Sequence, residues 1–513
     1  MRSAAERGAI GQDRRAQVRR TGLGPMLGSA IAAVLLAGGC AVGPDFKRPA
    51  APPVTAYTPE PLPAHTAASE GAAGAAQVYA NGADLPAQWW TLFHSEKLNA
   101  LVQQALSASP DVVAAQAALR EAHEKLLAQQ GSLLPSIDGN ASAARQKINA
   151  AAYGQPGGGS FIYNLFNATA NVSYGLDVWG GERREIEAQR ALAEYQNFQL
   201  EATYLTLSSN VVTTAIQEAS LRAQIEATQQ IIEADQQQLN TVERQLSLGG
   251  ASRLDVLTQR TQLATERAAL LPLQKQLQQN RDLLAVLLGQ TPSEQPQAHF
   301  ALDDLQLPVD LPISVPARLV AQRPDVRAQE ALVHQASAQI GVATANMLPQ
   351  LTITGDFGGT STRFSDLLKS GSNVWSFGAS VTQPIFHGGT LLHEKRAAVA
   401  AYDQAAAQYR GTVLTAFRNV ADALYALDAD AANLNEQNLA TQAAAETLEV
   451  SRKRYAAGSI SPLDLLVAER TFHQARIAQL QAEAARYADT VALFQALGGG
   501  WWNRDSVAAT ARR

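Results

Sequence analysis

Cys40 is the single cysteine in a chain of 513 residues. One thiol cannot form an internal disulfide or a cysteine-based metal site, so its chemistry must come from its position. The eight histidines are scattered; His334, His387 and His393 have no ligand-like spacing to one another or to the cysteine, and no metal site is expected. No phosphate-binding glycine loop followed by a lysine occurs. Gly157-Gly158-Gly159 has no helix start after it and reads as loop. No serine or cysteine nucleophile sits in a recognisable elbow. Trp89-Trp90 could be a sugar platform, but an anchoring apolar pair in a short helix is the simpler reading. An enzyme is not expected, and neither is a bound cofactor.

The surroundings of Cys40 do give it a role. Arg14, Arg15, Arg19 and Arg20 precede an apolar run from Met26 to Ala37, which ends in Ala37-Gly38-Gly39-Cys40. A basic start, a short apolar core and small residues before a cut make a secretory signal over 1–39. The core is too short to span a bilayer stably. Small residues directly before a cysteine resemble the bacterial lipobox, in which the thiol is acylated and the cysteine becomes the mature N-terminus. Ala37 stands where that motif usually has Leu, with Leu36 one step further out. Two acyl chains would anchor the protein firmly, at ~0.8 kcal/mol per buried CH₂. Ala41 rather than Asp follows, which in such lipoproteins points to the outer membrane. An ordinary signal with an incidental cysteine is the alternative. Residues 40–86 are rich in Pro, Ala and Gly and read as an extended tether.

The elements that follow repeat. Ser109-Pro110-Asp111-Val112, an amphipathic helix and Leu134-Pro135-Ser136-Ile137 are answered by Arg323-Pro324-Asp325-Val326, a helix and Leu348-Pro349-Gln350-Leu351. Proline to proline is 25 residues in both. A proline suits the first turn, and the aspartate beside it complements the positive end of the dipole. The second proline stops the helix and opens an extended segment. Gly180-Gly181 matches Gly388-Gly389, Gly249 matches Gly458, Leu254-Asp255 matches Leu463-Asp464 and Gly289 matches Gly498, at offsets of 208 or 209. Solenoid repeats run about 20–50 residues, so this is instead a twofold pseudo-repeat.

The first copy spans 87–290, with strands about 136–146 and 169–179 and helices about 110–134, 182–248 and 252–288. The second spans 324–498, with strands about 350–358 and 374–384 and helices about 324–347, 390–457 and 461–497. A proline-rich linker, 291–323, joins them, and 499–513 is a tail. The strands alternate: Val172, Tyr174, Leu176 and Val178 share one face, as do Trp375, Phe377, Ala379 and Val381. About nine to eleven tilted residues suffice for a barrel strand to cross a bilayer. In the second long helix Val413, Phe417, Val420, Leu424, Leu427, Ala431 and Leu434 step by 4 and 3 in turn, a coiled-coil seam. In the first, Leu221, Ile225, Ile232, Leu239, Val242 and Leu246 keep that register, with Thr228 and Asp235 as polar members. Gly249-Gly250 and Gly458 end these helices, and a shorter helix returns from each.

Charged residues make up 17% of the chain and the net charge is −5, which argues against nucleic acid as the main partner. No stretch after residue 40 approaches 18 uninterrupted apolar residues. Four membrane strands cannot close a barrel, since about eight or more are needed and lipid tolerates no open edge. If the strands are in a membrane, several chains must share one barrel, and neighbouring helices would then bury one another's seams.

Cys40-Ala41-Val42-Gly43-Pro44-Asp45-Phe46-Lys47-Arg48-Pro49 resembles the start of mature outer-membrane efflux lipoproteins of the TolC-like family, NodT/OprM branch. Trp89-Trp90 with Phe93 and Leu98, Arg323-Pro324-Asp325-Val326, Ile340-Gly341 and Pro384-Ile385-Phe386-His387-Gly388-Gly389 extend the resemblance over nearly the whole chain after residue 36. It implies a mixed α/β membrane protein: a homotrimeric, passive TolC-like duct in a Gram-negative outer membrane. Four strands per chain would share a transmembrane β-barrel, above a long α-helical periplasmic barrel. Its partners would be outer-membrane lipid, a periplasmic membrane-fusion adaptor and an inner-membrane pump of the RND type. In the family the tip of the second repeat carries the periplasmic gate. Carried over, Leu463 falls on an apolar constriction and Arg470 on a basic position that ties the closed state. The family's acidic gate position is Val467 here, leaving Asp464 and Glu469 as nearby candidates, each with a solvated helix face as the plain alternative. Gly249, Gly250, Tyr455 and Gly458 fall on the tip turns that would meet the adaptor. A protein-secretion duct of the same fold and a non-conducting coiled-coil lipoprotein remain alternatives; the strand alternation argues against the second.

Cys40→Ser should abolish lipid labelling of the mature chain, and unchanged labelling would refute the anchor.

Overall fold

The computed structural model describes residues 41–71, 73–149, 159–294 and 299–504; the expected signal peptide and Cys40 lie outside them. Six strands are formed: β1 Val78–Asn81, β2 Ser136–Asn149, β3 Ser160–Leu176, β4 Asp310–Ile313, β5 Gln350–Ser361 and β6 Asn373–Thr382. The helices are α1 Glu96–Ala108, α2 Pro110–Gly131, α3 Gly181–Ser247, α4 Arg253–Leu287, α5 Pro316–Gln322, α6 Pro324–Ala345, α7 Thr390–Ala456 and α8 Pro462–Ala496. They divide into a sheet unit (Met1–Val42, Pro135–Arg183, Thr344–His387) and a helical unit (Gly43–Leu134, Arg184–Ala343, Gly388–Arg513).

The sheet is antiparallel throughout, in the order β2-β3-β5-β6. Its register sorts residue types by face. One row runs Ile137, Val172, Gly355, Phe377, and its same-face neighbours include Ala170, Phe357, Trp375 and Leu176, Leu351, Val381. The opposite face carries Asp138, Asn171, Asp356, Ser376 and Ser136, Ser173, Thr354, Gly378. Trp375 and Phe377 are each 74% exposed, so the apolar face has no partner in this chain. β2 and β6 each have one paired side and are the edges.

The first hairpin is longer than expected: β2 has 14 residues and β3 has 17, against 12 and 10 for β5 and β6. Beyond Ala141, β2 has few apolar markers, and its extension follows from pairing with Phe161, Ile162, Tyr163 and Leu165 of β3. β3 also stops before the expected 179. The Asp177 carboxylate turns back to accept from the Glu182 and Arg183 amides, both at 3.1 Å, and caps the start of α3.

The duplication is metrical in the helices. α2 and α6 both have 22 residues, α3 and α7 both 67, α4 and α8 both 35. At 1.5 Å per residue each long helix reaches ~100 Å. Gly289 and Gly498 close the two copies in the same way. A Cβ on Gly289 would sit 2.5 Å from the Ala108 carbonyl oxygen, and one on Gly498 3.1 Å from that of Gln322. Both glycines have positive φ, +71° and +96°, so each return helix ends against the start of its own repeat where only glycine is unstrained. Arg323 fastens the second junction, donating to the Ala496 carbonyl at 2.9 Å while holding Asp325 at 2.7 Å.

The α7 seam is buried at Val413, Val420, Leu424, Leu427, Ala431 and Leu434, with Phe417 packed against it. In α3 the buried line is Leu221, Gln224, Thr228, Ile231, Asp235, Leu239 and Val242. Ile225 and Ile232 are half-buried and Leu246 is 38% exposed, which corrects the expected seam. A straight helix drifts ~20° per heptad, enough to move the buried line by one residue over this length.

The segments read as an extended tether and a proline-rich linker hold elements of their own. The tether contains β1 and the linker contains β4 and α5; β1 and β4 pair in parallel, Val78 opposite Asp310. Leu85, Leu305 and Leu311 are buried with Trp89, Phe93, Tyr487 and Phe494 in one core. Arg486 pins this layer to α8: its guanidinium donates to the Ala73 and Ala75 carbonyls at 2.6 and 2.7 Å and to Thr66 Oγ1 at 2.9 Å. Among the described residues no helix is long and apolar enough to cross a membrane.

Candidate functional site

Each long helix reverses into its return helix by the same construction. Gly249 and Gly458 take φ of +82° and +69°. One residue on, the Gly250 amide donates to the Gln245 carbonyl at 2.8 Å and the Ser459 amide to the Arg454 carbonyl at 2.9 Å, closing a left-handed helix stop. Ser252 and Ser461 then start α4 and α8 with reciprocal capping boxes, using Asp255 and Asp464. Each aspartate is held below the usual carboxylate range by its serine. Asp464 is therefore engaged in its own helix start, as its counterpart Asp255 is in the first copy.

The two tips touch. Tyr455 donates its hydroxyl to Gln245 Oε1 at 3.0 Å, joining the last turns of α7 and α3. Small apolar clusters fill each hairpin behind its turn: Leu239, Val242, Val256 and Leu263 in the first, and Leu448, Leu465 and Ala468 in the second. Leu463 is not among them; it is 61% exposed, with Val467 at 56%, and both are left free to face something outside this chain.

Glu469 is brought inward. It is buried, and Arg452 on α7 lies 3.5 Å from its Oε1. The first copy has the same pair with the charges exchanged, Glu243 on the long helix and Arg260 on the return helix, at 2.6 Å. At this position the second copy thus turns a carboxylate from its return helix into the interior, where the first has an arginine. Burial raises the Glu469 carboxyl and Arg452 pulls it partly back. Asp235, on α3, is also buried, and burial, then the charges of Glu469 and Glu266, push its carboxyl up to about 7. Burial likewise raises Glu266, against Arg470 and the amide of Gln262. The structure therefore sets Glu469 beside Arg452 and near Asp235, with the exposed Arg470 acting on Glu266 by charge alone, and leaves Leu463 and Asp464 outside the group. The sequence signal for Asp235 was its place as a lone acid in an apolar seam; Arg452 and Glu266 gave none. Among the described residues no group of three or more His, Cys, Asp or Glu side chains could hold a metal ion.

Nothing at the tips is arranged for covalent chemistry. What the site can do is hold two hairpins together, or let them part, through buried charge.

The outer membrane efflux protein family model matches residues 101–290 and 315–499, one match for each copy of the repeat. The pyoverdine export outer membrane protein OpmQ of Pseudomonas aeruginosa is 31% identical over 422 residues, covering 81% of this chain and 87% of that protein. The cation efflux system protein CusC of Escherichia coli is 29% identical over 472 residues, covering 90% and 96%. Among solved structures, the outer-membrane channel OprN superposes with a TM-score of 0.80 at 29% identity, covering 90% of this chain and all of that one.

Replacing the second cap, Ser461→Ala, should cost about 1 kcal/mol locally. Amide exchange at Leu463–Leu465 would then quicken about fivefold, and unchanged exchange would show that the cap contributes nothing.

Proposed function

We propose that this chain, which belongs to the outer membrane efflux protein family, is the passive outer-membrane duct of a tripartite efflux machine. The observation that carries the reading is the sheet. It has an exposed apolar face, a polar face and two unpaired edges, which suits lipid on one side and water on the other only if the edges are paired. Three copies supply twelve strands, enough to close a membrane barrel. The long helices of the three copies pack side by side in the periplasm, burying the apolar positions that α7 leaves open, such as Leu414 at 70% exposure. An acylated Cys40 anchors the mature N-terminus in the same membrane.

Energy is supplied elsewhere, by an inner-membrane pump of the RND type coupled through a periplasmic adaptor. The adaptor meets the tip turns around Gly249, Gly250, Tyr455 and Gly458. OpmQ is named for pyoverdine export and CusC for cation efflux. A wide passive tube owes its selectivity to the pump, so this chain serves the export of small molecules without choosing among them.

The closed periplasmic end is held by the second-copy tip. Leu463, exposed on α8, lines the constriction, and Glu469 with Arg470 forms the charged tie, whereas Asp464 acts through its cap. Val467 removes the family's acid from this level, and Glu469 stands two residues further along α8.

In mild detergent the purified protein should have the mass of three chains; a stable monomer would contradict the shared barrel. Arg470→Glu should raise conductance in planar bilayers several-fold if Arg470 ties the gate, and no change would return it to a solvated helix face.

A further inference from the structure

Two buried carboxylates, one on α3 and one on α8, lie at about the same level across the boundary between the first and second hairpins, on elements that belong to different copies of the repeat. Their register follows from neighbouring contacts. Gln481 on α8 donates to Gln224 on α3 at 3.0 Å. The two helices run in opposite directions, so eleven residues along α3 from Gln224 to Asp235 correspond to eleven back along α8, which ends beside Glu469. On the other side, Arg267 of α4 donates to Gln236 at 2.9 Å, which brings Glu266 to within a helical turn of the level of Asp235 in the first hairpin. Asp235 is 1% exposed and Glu469 is 5% exposed. Each has one carboxylate oxygen buried without a hydrogen-bond partner, Oδ2 and Oε2. A charged carboxylate in that condition is costly, and two of them facing each other are costlier still.

We infer that Asp235 and Glu469 form a proton-operated latch between the hairpins, closed while at least one of them is protonated and forced apart by their repulsion when both are charged. The inference rests on the reading of these tips as a gate, and adds to it the variable that controls the gate.

Of the pair, Asp235 is the member pushed up to about 7. On α8, His473 is held neutral, its pKa pushed down to about 4 by burial and by Arg452. Arg452 on α7 lies 3.5 Å from Glu469 Oε1 and offsets part of its charge. Arg470 acts on Glu266, and Arg267 is occupied with Gln236. The sign follows from Asp235, whose ordinary value of 3.8 is pushed up to about 7 when the tips are together. A group with a raised pKa binds its proton more tightly in the apposed state. Apposition is therefore favoured in acid, loses stability as pH climbs from about 4 to about 7, and is weakest above that.

The first copy cannot make the same latch. Arg260 stands at the place of Glu469, and Ala444 on α7 at the place of Asp235. The device is thus single in each chain.

The test is a distance measured in the intact protein. Spin labels at Leu248→Cys and Ala457→Cys, both exposed at the turns, report whether the tips are together. Between pH 5.5 and pH 8 the ratio of separated to apposed tips should rise about thirtyfold in the otherwise unaltered chain. Asp235→Asn and Glu469→Gln, each removing one charge at constant shape, should hold the tips together across that range. A flat response in the parent, or a titration like the parent's in either variant, would overturn the latch. Asp235→Leu, which completes the apolar seam, should also stay apposed; pH-driven separation in it would overturn the latch as well. Conductance recorded on the same samples separates the two claims. Distances that titrate while conductance does not would preserve the latch and refute the gate.

Discussion

A strand edge in lipid is the constraint from which the rest of this molecule follows. Backbone amides and carbonyls have no water to turn to in hydrocarbon, and each left unpaired costs several kcal/mol. β2 and β6 present such edges, and the face between them is lined with Ile137, Val172, Phe357, Trp375 and Phe377, which suits lipid and not water. A sheet this narrow cannot satisfy itself. The long helices face a milder form of the same problem, since a stripe wide enough to build a two-layer hairpin still leaves Leu414, Val399 and Leu439 in the open. Both parts of the chain ask for neighbours, and copies of the chain itself can supply them.

Much of this was legible in the sequence because helices and hairpins announce themselves by period and punctuation. The two proline-to-proline intervals fixed α2 and α6, and the glycines at 249, 289, 458 and 498 marked the turns that equal-length helices require. Period two exposed β3, β5 and β6, whereas most of β2 is Ser, Ala, Asn and Gly and is organised by its partner. What stayed hidden was long-range and short. β1 and β4 are four residues each, 232 positions apart at their starts, and nothing local in a Pro-rich stretch says that one will lie beside the other. The family resemblance led to the α8 tip, and there the structure divided the acids: Asp464 caps its helix while Glu469 turns inward. Side-chain direction at one position decides that, and a register error of one residue reverses it. The one-residue displacement of the α3 seam is the same difficulty on a longer helix.

Polar burial is concentrated where this architecture joins its parts. Arg323 and Asp177 hold backbone groups at a helix junction and a helix start, and Arg486 holds the Ala73 and Ala75 carbonyls, with its own Nε left without a partner. Asp235 and Glu469 are each left with a free oxygen. A fully bonded buried ion rigidifies, whereas a half-bonded one stores a cost that another arrangement can relieve.

Duplicating a hairpin also settles a matter of parity. Along β2, β3, β5 and β6 the chain direction alternates at every step, so the two edges of the sheet run in opposite senses. When identical sheets meet edge to edge around a ring, β6 of one then lies antiparallel to β2 of the next, and the alternation passes through the junction without a fault. A sheet of three or five strands would place a parallel pair at each boundary, with slanted and weaker bonding. An even strand number lets the boundary between chains be bonded like any place within one, and building the sheet from whole hairpins guarantees that evenness however many are joined.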